Sequence, residues 1–198
     1  MSVNLLQEAP VESLDWLTFA PQIVEDAEAA LGFPFIVLSR FDQAACTTQP
    51  VFIGGMNGRN NQRALRLGQR FVPRFDMFTV GSVDANPLLR ATFEGSDPVI
   101  GSIEDFTRGV VPPLIARIAG RIAGAAHVIA IPLRVEDRVL GSLAYHKRSP
   151  EFPATWIRTA QTFSRQVALS IHNAELIKES RRVIIALEAS RRLVSAAA

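Results

Sequence analysis

Two apolar runs joined by a short charged turn constrain the fold of this 198-residue chain most strongly. Residues 128–133 and 139–145 are rich in apolar and β-branched side chains, and the segment 134–138 between them is mostly charged. This pattern predicts two antiparallel strands joined by a polar turn. Pro132 places the first strand at an edge or irregular position of a sheet, because proline cannot donate a hydrogen bond to a neighbouring strand.

A long amphipathic helix is predicted after this hairpin. Apolar side chains recur at helical spacing from Trp156 to Ile177, with polar side chains between them. The apolar positions are Trp156, Ala160, Phe163, Val167, Ala168, Ile171, Ala174 and Ile177. Such spacing places the apolar residues on one face of a helix, so that face is buried and the other is exposed to water.

The N-terminal half predicts another helix followed by another hairpin. Residues 11–31 show near-helical apolar spacing, and Gly32 stands where a helix C-cap is expected. Residues 33–41 are then predicted to form the first strand and residues 50–54 the second, with the turn at 42–48.

The middle of the chain predicts short elements separated by irregular segments. Residues 86–93 and 112–123 have the pattern of short helices, and residues 98–102 that of a short strand. Residues 55–80 are turn-rich and then basic. A segment of this length inside a compact domain is typically functional or mobile.

Composition indicates one domain with a full core, since 48% of the residues are hydrophobic. The net charge of +2 is nearly balanced and gives no indication of nucleic-acid binding. A single cysteine, Cys46, excludes an intramolecular disulfide and a Cys-rich metal site. The sequence shows neither a signal-peptide pattern at its start nor an apolar run of roughly 20 residues. We therefore expect a cytoplasmic location and no membrane association for this segment.

An ordered set of short motifs runs through the C-terminal half. The motifs are Ile131-Pro132-Leu133, Gly141-Ser142-Leu143, Pro150-Glu151-Phe152, Gln166-Val167-Ala168 and Asn173-Ala174-Glu175-Leu176. In this order they resemble the C-terminal half of GAF domains, which are small-molecule-binding and dimerisation modules of bacterial signalling proteins. The resemblance is good over roughly residues 95–178 and looser before them. The alternative is an unrelated α/β domain with a hairpin before a helix.

The resemblance implies an α+β fold of the GAF or PAS type. A central antiparallel sheet would carry the N- and C-terminal helices on one face and a ligand pocket roofed by short helices on the other. The expected ligand-binding residues are Phe35, Val37, Phe52, Phe71, Phe78, Phe106, Ile129 and Tyr145. Most of these side chains would serve equally well in a core, and the identity of the small-molecule ligand stays open.

The last helix is predicted to continue beyond the domain, which divides the chain into a sensor domain at 1–176 and a signalling helix at 177–198. The expected dimer positions on this helix are Ile171, Ile177, Ile184, Leu187 and Val194. An apolar stripe on a protruding helix favours a parallel coiled coil with a second copy. We expect a homodimer through the N- and C-terminal helices, in a piece cut from a longer protein whose output domain is a histidine kinase or cyclase.

Catalytic and metal sites are not expected in this chain. His127, His146 and His172 are too scattered for a zinc site. His146 is predicted at a strand end that borders the pocket, and we interpret it as a histidine whose hydrogen bonds are satisfied or one that faces solvent. The Gly-rich run at 54–58 lacks the lysine and hydroxyl residue of a phosphate-binding loop. The arginines at 63, 66, 70 and 74 could receive an anionic ligand, but their spacing equally predicts a solvated helix face.

Two other functions stay open at this point: the effector-binding domain of a transcription regulator, and a redox enzyme of GAF topology that uses Cys46. The enzyme is disfavoured because the chain lacks a second, resolving thiol. Bilin attachment is disfavoured as well, since Cys46 falls in a predicted turn and is followed by Thr47 rather than histidine. Haem or another small ligand stays open.

Overall fold

The computed structural model describes residues 16–33, 35–54 and 81–196, and describes side chains within 19–33, 35–54 and 81–187. Several expectations therefore fall outside the described residues. These are the helix start at 11–15, the segment 55–80 with its four arginines, Phe71 and Phe78, the side chain of Val194, and the last two residues.

The described chain forms helices and strands in the order expected for an α+β domain. The helices are α1 (Trp16–Leu31), α2 (Pro87–Glu94), α3 (Ile103–Phe106), α4 (Pro113–Ala123) and α5 (Ala154–Ala196). The strands are β1 (Phe35–Asp42), β2 (Thr47–Ile53), β3 (Gly81–Ser82), β4 (Val99–Ser102), β5 (His127–Val135) and β6 (Arg138–Lys147). All six strands form one antiparallel sheet in the order β3-β2-β1-β6-β5-β4.

The predicted hairpins are present, but their turns are shorter than expected. The turn between β5 and β6 consists of Glu136 and Asp137, and Glu136 adopts a φ of 52°. The first hairpin turns within residues 43–46, so β2 begins at Thr47 rather than at Pro50. Cys46 allows this early return because its backbone is left-handed, with a φ of 51°.

Pro132 occupies a position where β5 lacks a second neighbour. The edge strand β4 pairs with β5 only from His127 to Ala130, so β5 is locally an edge at Pro132. A residue without an N–H group is tolerated there because no neighbouring strand on that side requires a hydrogen bond from it. The structure therefore agrees with the irregular position predicted for this proline.

One face of the sheet is closed by the first and last helices. Side chains alternate between the two faces of a strand, and the apolar residues of β1, β5 and β6 on this face pack against α1 and α5. The strand residues of this core are Ile36, Leu38, Ile129, Ile131, Leu133, Leu143 and Tyr145. The helices contribute small and branched side chains, among them Ala27, Ala160, Ala168 and Ile171. We call this the helix face of the sheet.

An aromatic cluster fixes the start of α5 against the end of α1. The indole Nε1 of Trp156 donates a 3.2 Å hydrogen bond to the carbonyl oxygen of Leu31. The ring of Trp156 lies 4.3 Å from that of Phe33 and 5.3 Å from that of Tyr145, measured between centroids. An indole that is partly buried usually still needs a partner for its N–H group, and the carbonyl at the end of α1 supplies it.

Beyond this core, α5 continues as an exposed helix. It contains 43 residues and is therefore about 65 Å long at 1.5 Å per residue. Of the expected dimer positions, Ile171 is only 4% exposed and packs inside the domain, whereas Ile177, Ile184 and Leu187 are exposed. Within the described residues, none of the helices combines the length and the apolar character that crossing a bilayer requires.

A buried asparagine joins two elements on the other face of the sheet. Asn86 is 1% exposed, and its Oδ1 accepts hydrogen bonds from the N–H groups of Leu88 and Leu89 as the N-cap of α2. Its Nδ2 donates to the carbonyl oxygens of Asp105 and Phe106, at 2.9 and 3.1 Å. One side chain thus fastens α2 to α3.

We expect Asn86→Ala to lower the free energy of unfolding by about 1–3 kcal/mol, because it leaves buried N–H and carbonyl groups without partners. Asn86→Asp keeps the N-cap acceptor but turns a carboxylate towards two carbonyl oxygens, so it should be destabilising as well. Urea unfolding measures both, with the exposed change Asp97→Asn as control. An Asn86→Ala chain as stable as the control would contradict the joining role.

Candidate ligand-binding site

A cavity of about 250 Å³ lies on the face of the sheet opposite α1 and α5. Its floor is made by β1, β5 and β6 with part of β2, and its roof by α3, the segment after α3, and α4. The two faces follow from the alternation of side chains along each strand, since residues next to core residues point the other way. We call this the cavity face of the sheet.

The strand register arranges the floor in three rows across β1, β6 and β5. The rows are Phe35–His146–Val128, Val37–Ala144–Ala130 and Ser39–Ser142–Pro132. All of these residues except Pro132 line the cavity. The middle row contains two alanines, and their small side chains leave space above the centre of the sheet. The outer rows carry polar groups, an imidazole in one and a pair of hydroxyls in the other.

The roof is apolar and closely packed where its helices meet. Phe106, Val111 and Ile115 line the cavity from above, and α4 turns its small residues towards it. At Gly120 a Cβ atom would lie only 2.7 Å from Cγ2 of Ile103. Glycine is therefore needed at this point for α4 to approach α3 so closely.

Among the described residues that line the cavity, polar side chains are few and uncharged. No Asp, Glu, Lys or Arg is found among its described lining residues. The hydroxyls of Thr48, Thr92 and Thr107 donate to the backbone carbonyls of Arg40, Leu88 and Ile103 and are thereby satisfied. Within the described part of the chain, the hydroxyls of Ser39 and Ser142 and the ring of His146 have no such partner.

His146 is the most unusual group of the site. It is 5% exposed, and neither ring nitrogen has a hydrogen-bond partner within the described residues. Its ring stands edge-on to that of Phe35, with centroids 4.8 Å apart. Burial lowers the pKa of this imidazole from its ordinary value of 6.5 to about 3, because a charged ring would lose its hydration. His146 is therefore neutral at physiological pH, and the expectation of a satisfied or solvent-facing histidine was wrong.

The expected ligand-binding residues divide between the two faces of the sheet. Phe35 and Val37 lie on the cavity floor and Phe106 on its roof. Ile129, Tyr145 and Phe52 belong to the helix-face core instead. Phe71 and Phe78 lie outside the described residues. The difference arises from the two-residue period of a strand, because Ile129 and Tyr145 are each next to a cavity residue and therefore point away from it.

Tyr145 illustrates the other face. Its hydroxyl lies 3.5 Å from the hydroxyl of Ser164 on α5, and its ring packs against Trp156. Burial raises the pKa of this phenol above its ordinary value, against the smaller lowering effect of Ser164. Tyr145 therefore joins the sheet to α5 and does not line the cavity.

Six residues of the three floor rows were missing from the expected set: Ser39, Val128, Ala130, Ser142, Ala144 and His146. Counting every second residue along β6 from His146 identifies Ser142 and Ala144, once the inward face is known. The expected set favoured large apolar side chains, whereas the middle of the floor contains the small residues Ala130 and Ala144. Small side chains leave the space that a ligand would need.

Cys46 does not lie on the cavity wall. It is half-buried in the turn before β2. Burial and a hydrogen bond to Asp84 raise the pKa of its thiol, so the reactive thiolate is disfavoured. Across the described ranges, no group of three or more His, Cys, Asp or Glu side chains could hold a metal ion.

Comparison with known proteins identifies the architecture. The family model of the GAF domain matches residues 15–171. The chain is similar to a GAF domain/HD domain protein from Geobacter sulfurreducens, with 16% identity and a TM-score of 0.60 over 85% of this chain and 99% of that one. No protein of curated function matches.

Two further solved structures share the fold. The GAF domain of a two-component sensor histidine kinase from Bacillus halodurans is 12% identical, with a TM-score of 0.57 over 83% of this chain and 98% of that one. The second GAF domain of DevS from Mycobacterium smegmatis is 18% identical, with a TM-score of 0.55 over 85% and 99%. At such identities the likeness shows the fold alone.

We expect the burial of His146 to make the domain less stable as the pH falls. The unfolded chain binds a proton at this ring below pH 6.5, whereas the folded chain binds it only near pH 3, so stability is lost between these values. Between pH 7 and pH 5 the loss should be about 2 kcal/mol. Urea unfolding at both pH values measures it, and His146→Leu should lack this component. An equal pH dependence in the two chains would contradict the neutral state of His146.

Proposed function

The chain belongs to the GAF domain family, and we propose that it is a sensory module that holds a small, mainly apolar molecule in the cavity. The observation that carries this proposal is the cavity itself, a space of about 250 Å³ between the sheet and its roof helices. Ligand sites are typically concave and lined by apolar side chains, with a few polar groups that orient the ligand. This cavity has that composition.

A ligand in the cavity would affect α5 through the strands of the sheet. β1 and β6 carry cavity residues on one face and core residues on the other, so Ala144 is flanked in the chain by Leu143 and Tyr145. A ligand that shifts these strands also shifts the surface on which α5 rests. Because packed interfaces move between discrete arrangements rather than deforming continuously, a small shift can change the position of a helix. The signal would therefore leave through α5.

Dimerisation through α5 is part of the proposal. The helix leaves the domain near residue 176, and apolar side chains beyond this point are exposed. The exposed residues are Leu176, Ile177, Val183, Ile184, Ile185 and Leu187. Ile177, Ile184 and Leu187 fall on one side of the helix at the spacing of a coiled-coil seam. A second copy of α5, running parallel, would cover them, with α1 beside it in the dimer.

The output domain would follow α5 in a longer protein. A helix that leaves the domain at its C-terminal end suits an output attached there, and the likeness to a GAF domain of a two-component sensor histidine kinase supports an output of that kind. The module itself would act by binding rather than catalysis, in the cytoplasm.

Filling the cavity should weaken ligand binding. We expect wild-type protein to bind N-phenyl-1-naphthylamine, a neutral apolar fluorophore, with enhanced emission. Ala144→Phe places a ring in the middle of the floor and should weaken this binding about 10-fold or more. Fluorescence titration measures the affinity, circular dichroism checks the fold, and the exposed change Ala91→Phe on α2 is the control. Equal affinities in all three proteins would contradict ligand binding in this cavity.

Charging the proposed seam should separate the dimer. Leu187→Asp places a carboxylate in the seam and should increase the dimer dissociation constant about 10-fold or more. Ile185→Asp is the matched control, because Ile185 is also 66% exposed on α5 but lies on another side of the helix. Analytical ultracentrifugation measures both. A monomeric wild type, or equal weakening by the two changes, would contradict the seam.

A further inference from the structure

The cavity is lined in part by the imidazole ring of His146, whose two nitrogens lack hydrogen-bond partners within the described residues. Among its described lining residues, only His146 has buried side-chain polar atoms without partners, and both ring nitrogens are in this state. Burying a polar group without a partner is destabilising, and such groups in folded proteins call for an explanation. The neighbouring cavity offers one, since a molecule inside it could supply the missing partner.

The chemistry of the missing partner follows from the state of the ring. A neutral imidazole donates from one nitrogen and accepts at the other. The described wall contains no charged side chain that could balance an anion or a cation, and a buried unpaired charge is strongly unfavourable. A hydroxyl group, which both donates and accepts, is the simplest uncharged complement.

We propose that the ligand is an uncharged, largely apolar molecule with a hydroxyl-type group, and that His146 hydrogen-bonds to this group and so determines specificity. This inference rests on the proposed ligand-binding function and adds the chemical class of the ligand. The apolar body of the molecule lies over Ala144 and Ala130 in the middle row of the floor. Its polar group lies in the row of Phe35, His146 and Val128.

A second polar position exists at the other end of the floor. Ser39 and Ser142 face each other across β1 and β6, four residues along β6 from His146, which corresponds to about 13 Å. Unlike the nitrogens of His146, their hydroxyl oxygens are not among the fully buried atoms without partners. His146 therefore has the greater lack of hydrogen-bond partners. The serine pair is the alternative site for the polar group of the ligand, and the experiment has to distinguish the two sites.

The experiment compares three molecules with the same skeleton: naphthalene, 2-naphthol and 2-naphthoate, each displacing N-phenyl-1-naphthylamine from the wild-type protein at pH 7. One net hydrogen bond of about 1–1.5 kcal/mol should make 2-naphthol bind about 5- to 10-fold more tightly than naphthalene. 2-Naphthoate should bind more weakly than 2-naphthol, because the described lining residues include no cation. Tighter binding of the carboxylate would overturn the uncharged class.

Three variants assign the preference to a residue. His146→Leu should reduce the ratio of the naphthalene and 2-naphthol dissociation constants to about 1, whereas His146→Gln, which keeps a donor and an acceptor, should retain part of it. Ser142→Ala should leave the ratio unchanged. The ratio of dissociation constants compares two ligands on the same protein. A general loosening of the cavity would weaken the binding of both ligands and would leave this ratio unchanged. The thermal midpoint of each variant checks that it is folded.

The outcomes separate this inference from the proposed function. If the probe binds but the ratio is the same in wild type and His146→Leu, or is lost in Ser142→Ala alone, the role of His146 is overturned while ligand binding stands. If the ratio is already about 1 in the wild type, the hydroxyl preference is overturned. If neither the probe nor any naphthalene binds, the ligand-binding function fails, and this inference fails with it.

Discussion

The alternation of side chains along β1, β5 and β6 is the constraint on which the rest of the structure depends. Large apolar residues such as Leu38, Ile131 and Leu143 occupy one face and are sealed by α1 and α5. Residues between them, such as Ala130 and Ala144, occupy the other face and are small. The sealed face provides most of the apolar burial that stabilises a domain. The other face can therefore leave a space unfilled without loss of the fold.

Because the helix face stabilises the fold, the cavity face can contain a destabilising group such as His146. A neutral, unpaired imidazole reduces stability, and a cavity forfeits packing contacts. Both are found on the same face of the sheet, whereas the helix face has an aromatic cluster with its indole N–H satisfied by Leu31. Features that weaken a fold but suit recognition are expected to collect at functional sites. The unpartnered ring of His146 beside the cavity therefore supports a ligand there more strongly than the cavity volume alone.

The sequence allowed the architecture to be predicted because its signals are local. The charged turn at 134–138 and the helical spacing after Trp156 each predict an element without knowledge of any other. The cavity wall depends on which alternate residues face inwards, and this is decided by the packing of α1 and α5 across the sheet. Ile129 and Tyr145 were therefore expected in the pocket although they belong to the core. Asn86 joins segments about 20 residues apart, a contact that no local pattern reveals.

The continuity of α5 has a geometric consequence for anything attached beyond it. No glycine or proline interrupts residues 154–196, so the residues that most often kink a helix are absent from it. In a continuous helix, the direction in which each residue faces is fixed relative to every other residue. With 3.6 residues per turn, each inserted or deleted residue rotates the following segment by about 100° and moves it along the axis by about 1.5 Å. Seven residues return almost to the starting phase. The length of this helix thus sets the orientation of whatever it carries, and steps of seven are the changes in length that preserve it.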